Sequence, residues 1–131
     1  MAVQYVTKQD KRKNGSNLWY GRAIHPATID LDALAERIEH TCSMTKGDVK
    51  AVLIEMVSAM KIELQNSNKV KIDGLGTFSI SLRTSGSASE DKFTAKDNIK
   101  AFVLNFLAEG KVSNGKLTRA CTDGIKAVKA V

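Results

Sequence analysis

The sequence predicts an α+β fold, and three observations carry that prediction. Val49, Val52, Leu53, Met56, Val57, Met60 and Leu64 form one apolar stripe over five helical turns. Residues 70–73 (VKID) and 77–82 (TFSISL) alternate apolar and polar side chains, the period of half-buried strands, on either side of Gly74-Leu75-Gly76. The length of 131 residues fits one domain and is too short for two ordinary ones.

In chain order, residues 3–8 (VQYVTK) and 18–24 (LWYGRAI) read as two strands of a hairpin. Their polar link contains Asn14-Gly15 and carries Lys11-Arg12-Lys13 at its tip. That tip reads first as a solvated turn and second as a loop touching phosphate. His25-Pro26 ends the hairpin, because proline holds its predecessor extended. Asp30 is a good N-cap for a first helix with Leu31, Leu34, Ala35 and Ile38 on one face, ending near Cys42. Thr45 caps the second helix, and Asp48 complements the positive end of its dipole. The stripe on this helix is wider than one short helix covers, so a second surface, such as a second subunit, is expected to meet it.

Gly74-Leu75-Gly76 is expected to make a tight turn with Leu75 facing inward. A strand follows it rather than a helix, so it is not a nucleotide-binding loop. Residues 83–92 (RTSGSASEDK) read as a flexible hairpin tip, 93–96 as a returning strand, and 99–106 (IKAFVLNF) as a stronger strand. Asn114-Gly115, ahead of Leu117, Ala120 and Cys121, reads as the approach to a short amphipathic helix. Residues 125–131 are left as a last strand or a frayed helical turn.

Twenty Lys and Arg against fourteen Asp and Glu give a net charge of +6, which favours an anionic partner. Residues 1–30 hold five basic and two acidic groups, and residues 101–131 hold the same numbers. The middle is near neutral, so the two basic ends form one patch only if the fold brings them together. The longest apolar runs are short, as in Ala51-Val52-Leu53-Ile54, against the roughly 20 residues of a membrane span. The first residues show no secretory signal, and Cys42 and Cys121 match no zinc or redox spacing, which points to a reducing cytoplasm. His25 and His40 lack companions at ligand spacing, and no Ser/His/Asp or Cys/His set is visible. Neither an enzyme nor a cofactor is expected.

Over residues 44–80 the chain closely resembles the bacterial histone-like HU and integration-host-factor family. The matching residues are Thr45, Lys46, Asp48, Val70, Gly74, Gly76 and Phe78, with Leu75 in place of the family's aromatic. The added N-terminal hairpin resembles the longer HU–HIG variant. The resemblance implies two helices packed under an antiparallel sheet with a β-arm, plus an N-terminal hairpin and a short C-terminal helix. It divides the single domain into a hairpin extension, 1–26, and an HU-like core, 27–131, with an arm at about 83–98. It also implies an intertwined homodimer, a saddle over DNA and a place in the nucleoid.

The arm departs from the family. It has no proline, because Pro26 is the only one in the chain, and its tip carries Glu90 and Asp91. Non-specific DNA binding without an intercalating wedge is therefore expected. The phosphate contacts expected are Lys46 and, approximately, Lys111 from the family pattern. Charge adds Lys71, Arg83, Lys92, Lys96, Lys116 and Arg119. The alternative is a dimeric interaction or scaffold module that keeps the fold and has lost DNA bending.

Overall fold

The computed structural model describes residues 1–131. Strands β1 (Ala2–Gln9) and β2 (Trp19–Ala23) form the expected hairpin. Helix α1 spans Leu31–Glu39, and the Asp30 carboxylate accepts from the Ala33 backbone N–H at 2.9 Å, satisfying one of the amides a helix start leaves open. The backbone N–H groups of Thr41 and Cys42 both reach the Ile38 carbonyl, closing the helix close to the expected place.

Helix α2 spans Lys46–Gln65 and is about 30 Å long at the usual rise. The Thr45 hydroxyl accepts from the Asp48 N–H at 3.3 Å and lies 2.7 Å from the Asp48 carboxylate, to which it donates. The two helices pack around Ala35, which is fully buried, and Val49. Lys50 on α2 meets Asp32 on α1 at 2.7 Å across the rim of that contact.

Strands β3 (Val70–Ile72), β4 (Gly76–Thr84) and β5 (Ile99–Ala108) form an antiparallel sheet in the order β3-β4-β5. The register sets Phe78 opposite Phe106, Ile80 opposite Leu104 and Leu82 opposite Phe102. One face of the sheet is therefore apolar, and the Phe78 and Phe106 rings meet there at 4.9 Å between centroids. The α+β layering expected from the sequence is present.

Four details differ from expectation. Residues 93–96 do not return as a strand. Thr94 caps a short helix α3 (Ala95–Asn98), because its hydroxyl accepts from the Asp97 N–H and ends the extended run. With a further 3-10 turn at Glu90–Lys92, the expected β-arm is a cap on β4 and β5: β4 enters it only through Arg83 and Thr84, and β5 begins after it, at Ile99. The C-terminal amphipathic helix is absent. Strands β6 (Gly110–Ser113) and β7 (Lys116–Arg119) form a hairpin instead. Asn114 (φ 52°) and Gly115 (φ 75°) take the two left-handed positions of its tight turn, a geometry that suits this pair and splices two antiparallel strands. Leu75 is 37% exposed rather than tucked inward. The turn needs its glycines for other reasons: Gly74 has φ 81°, and a Cβ on Gly76 would collide with the Leu107 carbonyl.

Strand β8 (Lys126–Lys129) takes the strand option left open for the last residues and pairs in parallel with β1. A second three-stranded sheet, β2-β1-β8, thus joins the beginning and the end of the chain.

Candidate nucleic-acid interface

Successive residues of a strand face opposite sides. Opposite the apolar face of β3-β4-β5 lie Thr77, Ser79, Ser81 and Arg83 of β4, with Lys71 across from Thr77 and Asn105 across from Ser79. The Asn105 side-chain amide donates to the Ser81 hydroxyl at 2.7 Å, which fixes its orientation. On β4 and β3 this face is a row of small hydrogen-bonding groups with a cation near each end, while β5 sets Ala101, Val103 and Leu107 beside Asn105 on the same side. These hydroxyls and the amide join the candidate cations as candidate contacts, and the alternation T-x-S-x-S over 77–81 is their signal in the sequence.

The two cations differ in their surroundings. Lys71 Nζ stands 3.9 Å from both Asp73 and Glu109, so its charge is shared between two carboxylates. Arg83 has no carboxylate partner. It sits at the last regular pair before the register shift between Arg83 and Thr84.

Glu109, alone between β5 and β6, ties three parts together. Its carboxylate accepts from the Gly74 N–H at 2.5 Å, its own N–H donates to the Leu75 carbonyl, and its carbonyl accepts from Ala120 N–H. An acidic residue at this place would be repelled by a polyanion if free. Here it is engaged by the glycine turn and by Lys71.

The other cations expected at the site are spread over the core. Lys46 opens α2, where its ammonium lies 3.9 Å from Glu36 and its backbone N–H donates to Glu39. Lys111 and Lys116 are exposed on the β6–β7 hairpin. Arg119, on the same hairpin, donates from its guanidinium to the Ala108 carbonyl, so it clamps β7 to the end of β5. Lys92 and Lys96 lie in the compact arm among Glu90, Asp91 and Asp97. Asn98 anchors that arm: its side-chain oxygen accepts from Thr94 N–H at 2.9 Å, and its amide donates to the Ser85 and Gly86 carbonyls at 3.2 Å. It is also the buried polar side chain of the fold.

Asp32 is held below the ordinary carboxylate value by its hydrogen bond to Lys50, and then by that ammonium's charge. Lys50 is raised by the same contact. Within the core, Lys46, Lys50 and Lys71 are the cations that face carboxylates at ion-pair distance. No helix is long and apolar enough to cross a membrane.

Residues 1–119 match the family model described as HU-HIG, an HU domain fused to wHTH, Ig, or Glycine-rich motif. No curated protein matches. Among solved structures, a Bacteroides vulgatus protein, named as a candidate bacterial DNA-binding protein, resembles 98% of this chain with a TM-score of 0.63 and 12% identity. The present chain spans about half of that protein, 47% of its length. The Anabaena HU in a cocrystal with DNA resembles 59% of this chain and 85% of its own, with a TM-score of 0.45 and 18% identity. The first likeness shows a shared fold at low identity. The match over residues 1–119 covers the helices, the glycine turn and both β-hairpins: the chain belongs to the HU-HIG family of HU-like proteins.

Proposed function

We propose that the protein is a DNA-binding architectural protein of the nucleoid that acts as a homodimer, without sequence specificity and without a proline wedge. The observation that carries this reading is the two-faced sheet β3-β4-β5. Its polar face offers hydroxyls, an amide and the side chains of Lys71 and Arg83, groups that suit phosphate and sugar. With Lys46, Lys92, Lys96, Lys111, Lys116 and Arg119 these form the proposed contact set. Arg83 and Asn105 stand apart on that face, and the Asn105 amide already donates to Ser81, which supports contact with the backbone over reading of base edges. The reading contains no catalytic step.

The homodimer is supported by what the apolar side leaves open. The chain exposes 11118 Å², against about 6,800 Å² for a compact protein of its mass. Val52, Ile62 and Phe102 are 57%, 60% and 74% exposed on the apolar surface of α2 and β5. An open concavity of about 590 Å³ lies between the end of α2 and the sheet, lined by Leu64, Ile80, Leu82 and Phe102. A second copy crossing its own α2 and β5 over these residues would bury them, as in obligate dimers.

Duplex and nicked DNA titrated at low salt should both shift, and affinity should fall steeply as salt rises. The variant Lys46→Ala/Arg83→Ala/Lys111→Ala should bind more weakly with a shallower salt slope. Absence of any shift would defeat the DNA reading. Equal curves for variant and wild type would remove the proposed core site. The compact, acid-tipped arm favours a second reading, a dimeric scaffold that binds partners without bending DNA. Strong binding with an unbent duplex in a ring-closure assay would support the loss of bending.

A further inference from the structure

The parallel pairing of β1 with β8 gathers the two basic ends of the chain into one sheet. Residues 1–25 and 125–131 contain seven basic groups and one acidic group, Asp10, a net charge of +6. Residues 26–124 contain thirteen of each sign and are neutral. The whole net charge of the protein therefore belongs to the β2-β1-β8 sheet and its loop.

The register places three of these cations on one face and Lys129, opposite Tyr5, on the other. Lys126 lies opposite Ala2, Arg22 opposite Val6, and Tyr20 opposite Lys8. The alternation along β1 puts Ala2, Val6 and Lys8 on the same side, so Lys126, Arg22 and Lys8 form a row about 20 Å long. Beyond it, the loop adds Lys11, Arg12 and Lys13. Lys8, Lys11, Arg12, Tyr20 and Arg22 line a concavity of about 580 Å³, whose single acid is Asp10. That acid is already engaged, because the Arg12 guanidinium donates to both its oxygens at 3.0 Å. Lys8, Lys11, Lys13, Arg22, Lys126 and Lys129 face no carboxylate at ion-pair distance. Tyr20 is 53% exposed and presents an aromatic edge among these cations.

We propose that this terminal sheet is a second DNA-contacting surface, separate from the core saddle, that grips the phosphate backbone of duplex DNA. Charge complementarity identifies the occupant. An extended row of unpaired cations matches a ligand with regularly repeated negative charge better than one small anion. A duplex carries one charge per roughly 1.7 Å of axis. The core, neutral as a whole, supplies shape and hydrogen bonds, and the terminal sheet supplies the electrostatic pull. The proposal rests on the DNA reading above only for the identity of the polyanion.

The test is salt-dependent DNA binding by the full chain carrying Lys8→Ala/Arg22→Ala/Lys126→Ala, beside the core variant described above. A loop variant, Lys11→Ala/Lys13→Ala, lies outside the strands and guards against a folding artefact. Loss of these cations should weaken binding at least about tenfold at moderate salt, and should flatten the salt slope by about 0.9 per lost contact. The loop variant should move in the same direction with the unfolding temperature unchanged. If both terminal variants bind like wild type while the core variant weakens, the proposal is wrong and the core reading stands. If no variant differs from wild type, both fail. Phosphatidylserine vesicles form the control arm. Vesicle binding that depends on these residues, with DNA binding unaffected, would also overturn the proposal.

Discussion

Residues 26–124 expose Val52, Ile62, Leu82, Phe102 and Leu104 and carry no net charge. The terminal sheet, from residues 1–25 and 125–131, carries the entire +6 and has two narrow faces with a polar loop. Unburied hydrocarbon is satisfied by another protein surface, at roughly 25 cal/mol per Å² removed from water. Unpaired charge is satisfied by a polyanion and weakens with salt. On the reading proposed above, assembly would draw mainly on α2 and β5 and electrostatic affinity on residues 1–25 and 125–131, so mutation should separate them, although the terminal sheet also exposes Leu18, Trp19 and Val128.

The sharpest way to break this comparison is Phe102→Asp. A charge set among Leu82, Leu104 and a partner's apolar surface should cost about 3–5 kcal/mol. Sedimentation equilibrium should then report a single-chain mass, while salt-sensitive DNA binding through the terminal sheet persists at reduced affinity. A variant that stays dimeric would disconnect the exposed apolar face from assembly. Next in size is Gly76→Ala. The new methyl would meet the Leu107 carbonyl and the Phe106 ring, both close to a Cβ position. Overpacking of this kind costs about 1–3 kcal/mol, read as a lower unfolding temperature. The terminal sheet should keep its hydrogen-exchange protection, since Gly76 lies in the other sheet.

A smaller effect is expected from Asn98→Ala, which leaves the Thr94 N–H without its side-chain acceptor and the Ser85 and Gly86 carbonyls without their amide donor. The loss should be about 1–2 kcal/mol and confined to the arm, visible as faster amide exchange over residues 85–98. A change in the salt slope of DNA binding would mean that the arm carries more of the contact than its acidic tip suggests. The smallest effect concerns acid. Hydrogen bonds to Arg12 and Lys50 lower the folded-state values of Asp10 and Asp32 below 3.8. The stabilisation from each pair is present above about that value and is lost as pH falls through the lower folded one. Carboxyl-carbon NMR should show both titrating late, and Lys50→Ala should return Asp32 alone to its ordinary range.

The legible parts of this molecule are those whose causes are local. Asp30 and Thr45 cap α1 and α2 through atoms three residues away, so the sequence showed them directly. The glycine turn and the alternation of 77–82 were equally readable, because a two-residue period decides which side chains share a face. The misreadings have local causes as well. Leu117, Ala120 and Cys121 are spaced like a helical face, and that spacing outweighed the hairpin preference of Asn114-Gly115. In the arm, the hydroxyl of Thr94 captured the Asp97 amide where a strand was expected. Leu75 and Glu109 belong to a different class. Nothing beside Glu109 in the sequence announces its contact with Gly74, thirty-five residues away. The pairing of residue 2 with residue 126 leaves no trace in either segment alone. For that reason, the basic surface with the largest charge excess was the one that chain order hid.

That pairing also sets the order in which the molecule can assemble. Strand β1 is made before α1 and α2, yet one of its two hydrogen-bonding edges waits for β8, which follows both helices and the β4–β5 pair. The α1–α2 pair and the β4–β5 hairpin can close early, through contacts short in sequence. The terminal sheet must close a much longer loop, because residue 2 pairs with residue 126. Until then, β1 presents an open edge to any other unpaired strand, a known route to misassociation. Lys8 and the charged loop beside it would keep such nascent edges apart, so the charge proposed here to hold DNA would also protect the chain while it folds.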